Sequence, residues 1–212
     1  MLVTATAKFI IDKLYWISLY RWIDEWQKRL EQKAKQSGKD WEKIRHRRYL
    51  FSEIYIVGWL GLAILFLVFH QWLPAVLAYV LMVRVLGILN KELGVVLFGI
   101  CKITEGRAVS TSGRVIILAL CNYLTAGLLF AFLYSKWGTY QINAITTVSP
   151  LSINYAVVQG LSIHFTLSPA YTPVDPQTWL FTIAQTVFCF LFGTIIIALF
   201  VSLLKITATI ED

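Results

Sequence analysis

Charged residues are scarce in this chain, and that scarcity excludes most classes of soluble protein. Asp, Glu, Lys and Arg make up 15% of the 212 residues, whereas a soluble domain usually carries about 25%. Between residues 137 and 204 the only charged residue is Asp175. Uncharged apolar runs of about 20 residues are typical of helices that cross a membrane. The composition therefore predicts an all-α, polytopic membrane protein.

The chain also lacks the residue patterns of common active sites and metal centres. It has three cysteines and three histidines, with no CxxC or HExxH spacing, no P-loop and no paired carboxylates within an apolar run. Ser162 and His164 are two positions apart, so on a helix their side chains diverge by about 200° and cannot form a nucleophile–base pair. We therefore expect no enzymatic activity, no cofactor and no metal site.

Four apolar segments are long enough to span a bilayer. They cover residues 51–69, 73–89, 115–135 and 179–204. Twelve of the 19 Lys and Arg residues precede residue 49, whereas Lys136 is the only basic residue at the opposite ends of the spans. Because short cytoplasmic loops carry the excess of basic residues, both termini are predicted to be cytoplasmic, in a bacterial inner membrane. Arg84, inside the second span, is expected to extend to the cytoplasmic interface.

This layout predicts three segments. Residues 1–50 form a basic, amphipathic cytoplasmic segment, which suits a helix lying in the lipid headgroup region. Residues 51–113 form a hairpin of two spans with a cytoplasmic loop, and residues 114–212 contain the last two spans, the segment between them and a short cytoplasmic tail. A basic cluster before the first span is predicted to contact membrane lipid or a cytoplasmic protein partner, and no nucleic acid is expected to bind directly. Its members are Lys39, Lys43, Arg45, Arg47 and Arg48.

The segment before the last span, SPLSINYAVVQGLSIHFTLSPAYTPVDP, predicts a helix followed by a proline-rich exit. Ser149 and Pro150 are typical of a helix start, and Pro169 requires the helix to end near Leu167 or Ser168. Such a helix can lie at the aqueous surface. It can also enter the bilayer, because non-helical backbone is tolerated there when it is buried in protein or lines water. The residues alone leave both arrangements open.

Residues 114–204 resemble the outer helix, pore helix and inner helix of tetrameric pore-loop channels of the two-span potassium-channel type. The resemblance implies a re-entrant helix between spans three and four and a homotetramer around a central axis. It also implies a hinge at Gly193. Filter positions are taken by Thr166, Leu167, Ser168, Pro169 and Ala170. Proline fixes φ and lacks an N–H where the filter needs glycine, so a potassium-selective geometry is excluded.

The last predicted span has two halves of different polarity. Its first half carries a polar face made of Thr182, Gln185, Thr186 and Cys189. If this helix lines an axis, its second half offers a hydrophobic gate at Ile196, Ile197 and Phe200. The alternative is that these residues pack against other helices or face lipid.

The number of spans and the basic N-terminal segment are also similar to the membrane subunit of the Kiwa anti-phage defence system. That resemblance implies a membrane sensor that assembles with a cytoplasmic DNA-binding effector. Two functions are therefore predicted. One is an oligomeric channel-like protein of weak selectivity, acting as a membrane sensor. The other is a non-conducting scaffold that holds a cytoplasmic effector through its N-terminal segment.

Overall fold

The computed structural model describes residues 6, 9, 13, 19–37, 41–98 and 108–208. The protein is mostly helical, at 78%, which confirms the predicted fold class at that level. The described part contains six α-helices, numbered in chain order: α1 Leu19–Gln36, α2 Trp41–Val68, α3 Val76–Phe98, α4 Ala108–Tyr134, α5 Ile153–Thr166 and α6 Pro176–Ala208. A 3₁₀ turn, His70–Trp72, connects α2 to α3.

Three of these helices are long and apolar enough to cross a membrane. They are the parts of α2, α4 and α6 that cover Leu50–Val68, Ile116–Tyr134 and Pro176–Ala198. Helix α3 is not among them, and its 23 residues include Arg84, Lys91 and Glu92. The chain therefore has the helices of a membrane protein, while the fourth span stays a prediction.

Helix α4 lies at the centre of the bundle and packs against α2, α3, α5 and α6. All six side chains from Leu129 to Tyr134 are buried. A helix that is apolar all round and covered all round belongs to a protein interior rather than to a lipid-facing surface. The core of the protein therefore surrounds the second half of α4.

Three short strands lie between α4 and α6, and the sequence analysis did not anticipate them. Strands β1 (Tyr140–Gln141), β2 (Thr147–Val148) and β3 (Thr172–Pro173) form an antiparallel sheet in the order β2-β1-β3. Tyr140 on the central strand is buried, with its ring centroid 5.9 Å from that of Tyr134. Gly138 has φ +100, and a Cβ there would lie 2.6 Å from the Tyr140 hydroxyl, so only glycine fits. We call the three strands, together with the turns that lead into and out of them, the strand end.

The N-terminal helices carry the predicted lipid or partner surface. In α1, Trp26 and Leu30 are exposed, as a helix in the headgroup region requires. Helix α2 continues without a break through residue 50, the boundary of the first predicted segment. Lys43 and Arg47 are exposed on α2. Lys39 and the side chains of Arg45 and Arg48 lie outside the described residues.

Arg84 packs against α2, and its predicted extension to the cytoplasmic interface stays a prediction. Its guanidinium carbon lies 5.0 Å from the ring centroid of Tyr55 and 5.1 Å from that of Trp59. These rings are one turn apart on α2, so the side chain turns towards the neighbouring helix. Cation–π contacts of this kind stabilise a cation that has left water.

Candidate functional site

Helix α5 begins three residues later than predicted. Ile153 is its first residue, with Ser152 at the N-cap position. Ser149, the predicted cap, instead donates its hydroxyl to the Gly138 carbonyl oxygen at 3.1 Å. The Ser–Pro pair therefore belongs to the strand end, because a tertiary hydrogen bond takes the hydroxyl that a helix cap would use.

The end of α5 agrees with the prediction from Pro169. Thr166 is the last helical residue, and Leu167 adopts the left-handed conformation with φ 57. The Leu167 N–H donates to the Ile163 carbonyl oxygen at 3.0 Å, which closes the helix. The chain can then turn away from the axis of α5.

Two glycines allow α5 to lie close to α4. A Cβ at Gly160 would be 3.0 Å from the Ala131 Cβ, and a Cβ at Gly127 would be 3.0 Å from the His164 ring. Small residues at helix contacts let two backbones approach each other inside a membrane. Gly160 and Gly127 therefore fix the position of α5 along α4.

Gln185 connects α5 to both neighbouring helices. Its Nε2 donates to the Gly160 carbonyl oxygen at 2.8 Å, and its Oε1 accepts from the Tyr134 hydroxyl at 2.6 Å. Gln185 is buried, as are Thr182 and Cys189 on the same helix. Most of the polar face predicted on the last span therefore packs against α4 and α5, which was the second of its two predicted alternatives.

His164 joins the C-terminal end of α5 to α4 and α6. Its Nε2 lies 2.7 Å from the Tyr123 carbonyl oxygen, and its Nδ1 lies 3.3 Å from the Cys189 Sγ. Because a carbonyl only accepts, the ring proton belongs on Nε2, and Nδ1 accepts from the thiol. The Tyr123 hydroxyl donates in turn to the His164 carbonyl oxygen. His164 is thus a buried, neutral anchor between three helices.

These contacts set how far α5 reaches into the bundle. Tyr123 precedes the end of α4 at Tyr134 by eleven residues, which is about 16 Å at 1.5 Å per residue. Cys189 follows the start of α6 at Pro176 by thirteen residues, or about 20 Å. Since a hydrocarbon core is about 30 Å thick, His164 is level with the middle of two candidate spans.

Residues 167–175, the return segment, lead the chain back to the strand end. Near its start the Ser168 carbonyl oxygen accepts from the Ser162 hydroxyl at 2.9 Å. Farther along, the Gln159 amide accepts from the Tyr171 N–H at 2.7 Å and donates to the Tyr171 carbonyl oxygen at 3.2 Å. The side-chain amide of Gln159 thereby makes the two hydrogen bonds that a neighbouring strand would otherwise make to the Tyr171 backbone.

The predicted filter residues lie together at the turn from α5 into the return segment. Thr166, Leu167, Ser168 and Ala170 are exposed on the single chain, and Pro169 is half-buried. The Thr166 hydroxyl donates to the Ser162 carbonyl oxygen at 2.6 Å, so it is directed back to α5. The turn is therefore an accessible stretch of irregular backbone beside the buried His164.

No protein-family model, curated protein or solved structure matches this chain. The resemblances to pore-loop channels and to the Kiwa membrane subunit therefore rest on the sequence. Within the described residues, no three His, Cys, Asp or Glu side chains converge to hold a metal ion.

Asp175 ends the return segment and starts α6. Its carboxylate accepts from the Thr178 hydroxyl at 2.7 Å and the Thr178 N–H at 2.9 Å, and also from the Thr139 N–H at 3.1 Å. These hydrogen bonds, the one from the Thr178 hydroxyl above all, lower the pKa of Asp175 to about 2. The carboxylate therefore caps α6 and ties it to the strand end.

The predicted hinge and gate residues lie farther along α6. The helix is continuous through Gly193, where an added Cβ would meet nothing within 4 Å. Ile196 packs partly against the core, whereas Ile197 is exposed. The side chain of Phe200 lies outside the described residues. The two described isoleucines thus have different surroundings within a single chain, and the gate stays a prediction.

Proposed function

We propose that this protein is the subunit of a homo-oligomer, most simply a tetramer, in which α5 enters the bilayer from the strand end. The observation that carries the proposal is the exposed turn at residues 166–170, which lies beside His164, level with the middle of two candidate spans. Irregular backbone does not face lipid at that depth, because lipid cannot hydrogen-bond to it. Other copies of the chain, or water along an axis between them, would cover it.

In this arrangement α3 is the fourth span and both termini are cytoplasmic, in the inner membrane of a bacterium. The strand end then faces the periplasm. The excess of Lys and Arg in the first 48 residues supports this orientation. Exposed Trp26 on α1 supports contact of the N-terminal segment with membrane lipid.

The first candidate function is a weakly selective channel-like protein that senses a change in the membrane during anti-phage defence. The C-terminal end of α5 points to the turn, and the negative end of a helix dipole favours cations there. Pro169 excludes potassium selectivity of the usual kind. Currents of the purified protein in planar bilayers test this function. Absence of current under voltage, tension or added cytoplasmic partner would rule it out.

The second candidate is a non-conducting sensor or scaffold, and one observation favours it. The Ser168 carbonyl oxygen is already bonded to the Ser162 hydroxyl within the chain, so it is not directed at an ion. Charge reversal at Arg45, Arg47 and Arg48 should then release a co-purifying cytoplasmic protein while the oligomer remains intact. Unchanged co-purification would contradict the scaffold function.

The oligomer itself is tested by cross-linking. Ala170→Cys places a thiol on the exposed turn, and Ile145→Cys places one at the 94% exposed tip between β1 and β2. We expect disulfide-linked dimers from A170C above the level of the wild type, with I145C as the matched control. Equal cross-linking of both variants, or a monomer by native mass spectrometry, would remove the axial arrangement.

A further inference from the structure

Two tryptophan side chains lie on the outside of the bundle, on the side that carries the strand end. Trp72, in the turn between α2 and α3, is 85% exposed, and Trp179, near the start of α6, is 45% exposed. In the part of the chain that the structure describes, neither indole N–H donates to a protein atom and neither ring packs on another aromatic ring. Trp137 differs, because its Nε1 donates to the Ala75 carbonyl oxygen at 2.9 Å.

The two exposed indoles lie close to the ends of the candidate spans. On this side of the bundle the spans end at Val68 and Tyr134 and begin at Pro176. Trp72 follows Val68 by four residues, in the turn that leaves the first span. Trp179 follows Pro176 by three residues, which is about 4.5 Å along the helix at 1.5 Å per residue. Each indole is therefore placed where its helix meets the surface of a bilayer.

Side-chain hydrogen bonds connect these span ends to one another. The Trp137 Nε1, just beyond the end of α4, bonds to the Ala75 carbonyl oxygen just before α3. The Gln177 Nε2, at the start of α6, donates to the Tyr79 hydroxyl in the first turn of α3 at 2.7 Å. Bonded groups are at the same height in the bundle, so the ends of α4 and α6 and the start of α3 define one level.

An indole at this level is suited to the boundary between lipid and water. Its ring is large and apolar, and its N–H is a donor that needs an acceptor. In water the ring would leave its apolar area exposed, and in hydrocarbon the N–H would lose its hydrogen bond. The lipid headgroup region covers the ring and supplies acceptor oxygens, and tryptophan is enriched there in membrane proteins.

We propose that Trp72 and Trp179 bind the glycerol and headgroup region of phospholipids in the leaflet nearest the strand end. Ester and phosphate oxygens of the lipid accept from the two indole N–H groups, and the upper acyl chains cover the rings. Lys136 and Asp175 are the only charged residues between 135 and 179, and both are bonded within the chain. The contact therefore needs no lipid of a particular charge, and phosphatidylcholine is a sufficient probe.

This contact fixes the height of the bundle in the membrane. It does not require α5 to enter the bilayer, because the two tryptophans belong to other elements. It also supplies the reference level from which the depth of the turn at residues 166–170 can be measured. A failure of the lipid contact is thus distinguishable from a failure of the proposed oligomer.

Depth-dependent fluorescence quenching of the full chain in phosphatidylcholine liposomes tests the proposal. The emission of Trp72 is the difference between the wild type and Trp72→Phe, a change that touches no packed ring and should keep the melting midpoint. We expect bromine near the carboxyl end of the acyl chains to quench this emission more strongly than bromine near the methyl end. Iodide in the water should quench it less than it quenches free tryptophan. Trp179→Phe should give the same depth profile.

Trp137→Phe is the matched control, because that indole is partly buried and bonded within the chain. Its difference emission should be quenched less than that of Trp72 by lipid bromine. Quenching of Trp72 by iodide alone would place it in water, and strongest quenching by methyl-end bromine would place it in the bilayer centre. Quenching by neither would show that another copy of the chain covers it. Each of these three results would overturn the proposal.

Discussion

Gln185→Leu tests how α5 is held in the bundle. Leucine has a similar volume, but it leaves the Tyr134 hydroxyl and the Gly160 carbonyl oxygen without the partners described above, and Tyr134 is completely buried. An unsatisfied buried polar group costs about 1–3 kcal/mol. Because hydrogen bonds inside membrane proteins average only about 0.6 kcal/mol, we expect each of the two groups to cost about 1 kcal/mol, the lower end of that range. The free energy of unfolding should decrease by about 2 kcal/mol.

Equilibrium unfolding in mixed micelles, followed by tryptophan fluorescence, measures this change. Tyr134→Phe removes the hydroxyl that Q185L would leave unpaired, so the double variant should recover about 1 kcal/mol relative to the sum of the single changes. Thr186→Val is the matched control, because the Thr186 hydroxyl bonds only to the Thr182 carbonyl oxygen of its own helix. A Q185L variant within about 0.5 kcal/mol of the wild type, or strictly additive changes, would refute the role of Gln185.

Three further substitutions test other contacts by the same unfolding assay. The wild type should lose stability as the pH falls from 3.8, the ordinary pKa of Asp175, to about 2, its pKa in the folded protein. Asp175→Asn should remove this pH dependence, and an unchanged acid profile would contradict the role of Asp175 as a helix cap. Gly127→Ala should cost about 1–3 kcal/mol, because the new methyl group presses on the His164 ring at 3.0 Å. Gly193→Ala, its control in open space, should be neutral or stabilising; equal effects would refute the close contact. Leu167→Gly should stabilise by about 1 kcal/mol by relieving the left-handed backbone; a destabilised variant would contradict this.

The helices were predictable where one signal acts over many residues. The predicted spans 51–69 and 115–135 agree within one residue with the apolar parts of α2 and α4, and the span 179–204 agrees within six residues with that of α6. Length and hydropathy decide both the prediction and the helix. The end of α5 was predictable from Pro169 alone. The strands have two residues each, too few for an alternating pattern to appear in a sequence.

The contacts of the site were not predictable, because each joins residues far apart in the chain. His164 meets Tyr123 across 41 positions, and Gln185 meets Gly160 across 25. A polar stripe on an apolar helix looks the same in a sequence whether it faces water or the amide of another helix. The position of Asp175 was more informative, because Asp is a favoured N-cap residue and accepts from the backbone N–H three residues later, here that of Thr178.

The strand end has a consequence for any molecule that binds there. Residues 135–175 contain two charged side chains, Lys136 and Asp175. The Lys136 Nζ donates to the His70 carbonyl oxygen at 2.5 Å, and the Asp175 carboxylate caps α6. With one charge of each sign, both held by internal bonds, this surface has little electric field to attract or steer a partner. Binding at the strand end should therefore be nearly independent of ionic strength, while contacts of the basic N-terminal segment should weaken steeply as salt is added.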